Sequence, residues 1–107
     1  MKQYTSKDQT TKLIELGFPK PKFSFPIEDN EHPDYVDEEG IPWSYAESYS
    51  IGELIEFLES NTDINIWYDG KSHYWYVDYG LRRVGVDANL VDSLYFACKA
   101  LKEEEVI

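Results

Sequence analysis

All five prolines of this 107-residue chain stand between positions 19 and 42, and that clustering decides where regular structure has to come from. Pro19, Pro21, Pro26, Pro33 and Pro42 each remove a backbone donor and fix φ. No helical or alternating period runs from Phe18 to Tyr49, so residues 18–49 read as one long connection. Connections beyond about 15 residues are uncommon inside a compact domain. Phe23, Phe25, Ile27, Tyr35, Ile41, Trp43 and Tyr45 predict that this one packs back onto the core. Short extended pieces fit around Phe23 to Ile27 and Ile41 to Tyr45.

The remaining segments carry clear start and stop signals. Ser6 and Gln9 have capping-box spacing, and Gly17 followed by Pro19 gives a stop, which predicts a helix over 6–16 with Leu13, Ile14 and Leu16 as its apolar edge. A second helix, over 50–60, follows from a capping box at Ser50 and Glu53 and a hydrophobic staple between Tyr49 and Leu54. Ile51, Leu54, Ile55 and Leu58 form its stripe, and Glu53, Glu56 and Glu59 take the other side. Asp69-Gly70 between two runs rich in β-branched and aromatic residues predicts a hairpin over 64–79 with a two-residue type I′ turn. Leu81 to Val86 reads as a third strand, and Leu90, Val91, Leu94, Tyr95, Cys98 and Leu101 repeat at the spacing of a closing helix over 89–104. Residues 1–107 thus predict a single α+β domain, two or three antiparallel strands with three helices on one face.

Charge narrows the function. Between Phe23 and Gly70 stand thirteen Asp or Glu residues and no Lys or Arg, the bulk of a formal net charge of -11. Lys2, Lys7, Lys12, Lys20 and Lys22 make the N-terminal segment basic, but direct binding of nucleic acid needs a coherent positive surface that five lysines beside that block do not provide. Anionic membranes are disfavoured for the same reason, and a partner with a basic surface is favoured. With 42% hydrophobic and 16% aromatic residues, the charge decorates a fold rather than preventing one. The single Cys98 excludes an internal disulfide and a thiolate metal cluster, and no signal-peptide or membrane-spanning run is present, so the expected compartment is the cytoplasm.

No catalytic constellation is legible. His32 lies beside Pro33 in an acidic loop, His73 lies on the hairpin, and neither has a partner at informative spacing. The oxygen-rich stretch 28–39 lacks the ordered ligands and central glycine of a calcium loop. The expectation is therefore no enzyme, no cofactor and no metal, with Cys98 a core residue of the last helix. Two groups remain as candidate partner sites. In the predicted hairpin, Ile64 faces Trp75 and Ile66 faces His73, with Val77 continuing that core side, while Trp67, Tyr74 and Tyr76 share the opposite face with Asn65 and Asp78. Aromatic side chains on a rigid strand are favoured anchors for a partner. Asp37, Glu38 and Glu39 are the candidate steering charges.

Three segments resemble a family of small uncharacterised proteins of Bacteroides-group gut bacteria, often encoded by prophages or other mobile elements. Gln9 with Lys12-Leu13-Ile14-Glu15-Leu16-Gly17 is similar to that family's opening helix. Tyr49-Ser50-Ile51-Gly52-Glu53-Leu54-Ile55-Glu56-Phe57-Leu58 is similar to its central helix, and Leu90-Val91-Asp92-Ser93-Leu94-Tyr95 with Leu101-Lys102-Glu103-Glu104 to its closing helix. The resemblance implies a fold and a mobile-element origin, and brings no activity with it. The sequence thus predicts a small protein-binding module. The alternatives are an acidic nucleic-acid mimic that occupies a DNA-binding protein and, third, an enzyme of unassigned type.

Overall fold

Both capping boxes close. In the computed structural model, which describes residues 3–22, 24–61 and 63–107, Ser6 Oγ accepts the Gln9 N–H at 3.2 Å while the Gln9 side chain accepts the Ser6 N–H at 3.0 Å. Ser50 and Glu53 repeat the exchange, with Ser50 Oγ accepting the Glu53 N–H at 3.2 Å. Helices α1 (Lys7–Glu15) and α2 (Ile51–Glu59) follow from these caps, and α3 (Leu90–Glu103) starts from Asn89, whose side chain accepts the Val91 N–H. Gly17 ends the first helical segment at φ 101, where only glycine is unstrained, and Phe18 donates back to the Leu13 carbonyl. None of the three helices of the described residues is long and apolar enough to cross a membrane.

Among the described residues, six strands form two antiparallel sheets. The second holds β4 (Ile64–Asp69), β5 (Tyr74–Tyr79) and β6 (Arg82–Asp87) in that spatial order. Helix α3 packs on β5 and β6, and α2 and α1 pack against α3 in turn, around a core of fully buried Leu13, Tyr49, Leu54, Leu58, Val77 and Leu94 with Cys98 and Leu101. Helix α3 crosses β6 at Gly85, where a β-carbon would lie 2.2 Å from the Ser93 carbonyl oxygen. Ser93 Oγ then donates to the Trp75 carbonyl at 3.1 Å and pins the helix to the next strand.

The hairpin turn differs from the two-residue form. Asp69 ends β4 opposite Tyr74, so residues 70–73 make a four-residue loop. Asp69 closes it as a side-chain cap, accepting the Lys71 N–H and the Ser72 hydroxyl, and His73 rather than Gly70 takes the positive φ, at 61. Ile66 consequently faces Val77 instead of His73, and Ile64 faces Tyr79 instead of Trp75. Each partner has moved by four, an even number, so every side chain keeps its predicted side of the sheet. Two residues change standing: His73, expected on the strand, lies in the loop, and Trp75 sits beside the turn against the Tyr68 ring, 5.1 Å between centroids, and is only partly buried.

Residues 18–49 are more ordered than a connection. They contain the first sheet, β1 (Ser24–Glu28), β3 (Pro42–Glu47) and β2 (Tyr35–Val36), with β3 in the middle. The prolines do not prevent it because Pro26 lies on an edge strand and Pro42 is the first residue of β3, positions that dispense with a donor. Lys2 and Phe23, placed by the sequence in the basic segment and the first extended piece, lie outside the described residues. Stacking of Tyr4 on Phe25 at 3.7 Å, and a hydrogen bond from the Thr5 N–H to the Tyr49 carbonyl, tie the N-terminal segment to both the first sheet and the entry of α2.

Candidate functional site

The face of the second sheet opposite the helices carries the aromatic group singled out above. Trp67 and Tyr76 are cross-strand partners whose rings stack at 4.6 Å with an interplanar angle of 25°. The Arg83 guanidinium from β6 lies 4.1 Å over the Tyr76 ring and 5.6 Å from the Trp67 ring. Its Nε donates to Asp78 Oδ1 at 3.2 Å, and the Trp67 indole N–H donates to Asp78 Oδ2 at 2.8 Å. The Tyr76 hydroxyl lies 3.1 Å from Ser72 Oγ in the hairpin loop. Two rings, a cation and a carboxylate therefore hold one another, and the rotamers of Trp67 and Tyr76 are settled before any partner arrives.

Neither Trp67, Tyr74 nor Tyr76 belongs to the core cluster of the described residues. Trp67 and Tyr76 are partly buried by their own neighbours, while Tyr74 and Val86, flanking them on β5 and β6, are each 45% exposed. A Trp, two Tyr and an Arg on a rigid strand surface is the composition of a protein-binding hot spot.

Arg83 and Val86 were not singled out as candidate site residues. Their signal was weak because β6 carries a bulge against β5 between Val77 and Asp78. The bulge makes Asp78 face Arg83 and Tyr76 face Val86, and it leaves Val84 packed against the core.

The acidic candidates lie elsewhere, on the first sheet, and are of two kinds. Glu38 and Glu39 are exposed on the turn between β2 and β3. Asp37 is not a free charge: its carboxylate accepts the Trp43 indole N–H at 2.7 Å and the N–H groups of Glu39 and Ile41 at 2.9 Å. Those donors, Trp43 first, hold it below the usual carboxylate range. Asp29 is used the same way, its pKa lowered by the backbone N–H groups of His32 and Glu31 and by Ser44 and Lys7. Asp34 accepts the Tyr45 N–H. Part of the acidic block thus builds the turns of a proline-bearing sheet, a role its charge count conceals. Glu53 also leaves the exposed side of α2: it is buried, caps Ser50 and accepts the Lys22 N–H. Glu56 and Glu59 remain exposed.

His32 and His73 are both exposed, and the latter's Nδ1 meets the Tyr68 hydroxyl at 3.1 Å. Cys98 is buried against the Leu54 carbonyl, and burial pushes its thiol up to about 12, so it stays protonated and unreactive in the fold. Among the described residues no three acidic, imidazole or thiol groups converge as ligands to a metal would. Comparison with family models, with curated proteins and with solved structures finds no match to this chain.

Proposed function

We propose that this chain is a protein-binding module whose partner docks on the outer face of β4–β5–β6, with Trp67, Tyr74 and Tyr76 as anchors and exposed carboxylates steering a partner with a basic surface. The observation that carries the reading is the Trp67–Tyr76 stack held by Arg83 and Asp78 on the side of the sheet away from the helices. Preorganised aromatic groups bind without the entropy cost of ordering them. The nucleic-acid mimic is the weaker reading, because a mimic needs free carboxylates and those of Asp29, Asp34, Asp37 and Asp69 are engaged with their own turns. A mobile-element origin belongs to the same proposal, supported by the resemblance of the three helical segments, and so does a cytoplasmic setting, supported by the single, buried Cys98.

Affinity capture from the host at low and high salt tests it. Trp67→Ala should leave the circular dichroism unchanged while weakening partner binding by about 2 kcal/mol, the size of a hot spot. Reversing the charge of Glu38 and Glu39 should slow association and flatten its salt dependence. If Trp67→Ala instead unfolds the chain, or leaves binding intact, the aromatic face is not the site.

A further inference from the structure

Two sheets have four edges, and three of them carry devices that discourage pairing with another chain. Strand β1 contains Pro26, β2 is two residues long, and β6 is bulged and carries Arg82 and Arg83. Strand β4 has none of these. Its six residues, Ile64-Asn65-Ile66-Trp67-Tyr68-Asp69, include no proline, no basic residue and no bulge, and among the described residues it pairs with β5 alone.

The direction of its free groups follows from one hydrogen bond. Gly80 donates to the Asp63 carbonyl at 3.0 Å, in register with the β4–β5 ladder. Antiparallel pairs alternate, so the odd residues of β4 bond to β5 while Ile64, Ile66 and Tyr68 turn their N–H and C=O groups to the open edge. A recess of about 360 Å³ lined by Ile64, Ile66, Glu59 and Asn61 lies beside that edge. Its rim is electronegative: Glu59 and the exposed Asp63 flank it, and α2 ends there with no basic residue in its last turn to offset the negative end of its dipole.

We infer that the edge of β4 is a strand-addition site that takes an extended segment of a partner protein, apolar at alternate positions and carrying Lys or Arg at the end beside Glu59 and Asp63. The segment would continue the sheet by backbone pairing with Ile64, Ile66 and Tyr68 and set its outward side chains beside Trp67. A second copy of this chain fits the edge poorly. Antiparallel self-pairing centred on Ile66 opposes Asp63 to Asp69 of the other copy, between molecules each of charge -11. The inference rests on the protein-binding reading and names its mode, and the two fail separately, one through the edge and the other through Trp67.

A random nonapeptide library displayed on phage, selected against the intact chain, supplies the probe. Enriched peptides should alternate apolar residues with others and carry Lys or Arg, and the best of them, made synthetically, should slow amide exchange at Ile64, Ile66 and Tyr68. Tyr68→Pro removes an outward donor without touching the β4–β5 ladder, so it should weaken that peptide at least tenfold, with Tyr68→Ala close to wild type. Glu59→Lys should weaken it several-fold. The exchange measurement is made on the wild type and stands even where Tyr68→Pro fails to fold. Absence of alternating basic peptides, or unchanged exchange at those three amides, overturns the inference. So does binding lost in Trp67→Ala but kept in Tyr68→Pro, or an edge-dependent dimer in sedimentation.

Discussion

Replacing Gly85 with alanine tests how firmly α3 is seated, and with it why one face of the second sheet is closed and the other open. A β-carbon at this position lies 2.2 Å from the Ser93 carbonyl oxygen, 3.2 Å from its carbonyl carbon and 3.3 Å from its hydroxyl. Two of the three atoms are backbone, so relief requires β6 and α3 to separate by about 1 Å, which is the difference from ordinary carbon–oxygen contact. Gly85 is not at positive φ, so the reason for glycine is the crossing and not the turn chemistry of the chain. Overpacking of this kind costs about 1–3 kcal/mol, and a backbone obstacle belongs at the upper end. Stiffening the unfolded chain returns about 0.4–1 kcal/mol, leaving a net loss of about 2 kcal/mol. In urea, with a slope of about 1–1.5 kcal/mol per molar for a chain of this size, the midpoint should fall by about 1.3–2 M. Separation would also strain the bond from Ser93 to the Trp75 carbonyl, so the amides of β5 and β6 should exchange faster than those of β1 and β3. An unchanged or higher midpoint would refute the close crossing and the packing order built on it.

The other predictions concern the caps, the turns and the thiol. Ser50→Ala should cost about 1 kcal/mol by urea unfolding, as the loss of an N-cap does, and Leu54→Ala about 2–5 kcal/mol through the cavity it leaves in the core. Trp75→Ala should cost less than Leu54→Ala, because Trp75 lies at the margin of the core. The folded pKa values of Asp29, Asp37 and Asp69 are lowered from 3.8, so the unfolded chain takes up protons first as the pH falls. Their contribution is present above about pH 4 and lost below it. The thermal midpoint should therefore drop between pH 5 and pH 3, and less so in Asp37→Asn; a midpoint that rises steadily down to pH 3 would count against the turn carboxylates. Cys98 should resist a thiol reagent at pH 8 in the native protein and react fully in urea, since its thiol titrates at about 12 only because it is buried. Fast native labelling would show the α2–α3 contact to be open.

Local signals with short range were legible in the sequence. The caps at Ser6 and Ser50, and the stripes of α2 and α3, depend on residues three or four apart, and the helices lie where that spacing puts them. The two faces of the hairpin were legible as well, because a pleated strand alternates whatever its exact register. The register itself was not. Asp69-Gly70 suits a two-residue turn, but the Asp69 side chain can equally cap a four-residue loop, and cross-strand packing of Ile66 on Val77 and of Trp67 on Tyr76 chose between them. Likewise the prolines of 18–49 state only which donors are missing. Whether a missing donor matters depends on which strand becomes the edge, and that is settled by the order β1-β3-β2.

What the chain determined by itself is therefore its helices, the side of each hairpin strand that turns inward, and a strongly acidic composition. What tertiary structure alone decided is which charges are free and which faces stay open. Asp37 and Glu38 are neighbours of the same charge, yet one closes a turn against Trp43 and the other faces solvent. Arg83 reaches Tyr76 and Trp67 only because a bulge in its own strand, β6, turns it to their side. Such outcomes depend on atoms brought together across long stretches of sequence, where spacing carries no information and only packing does.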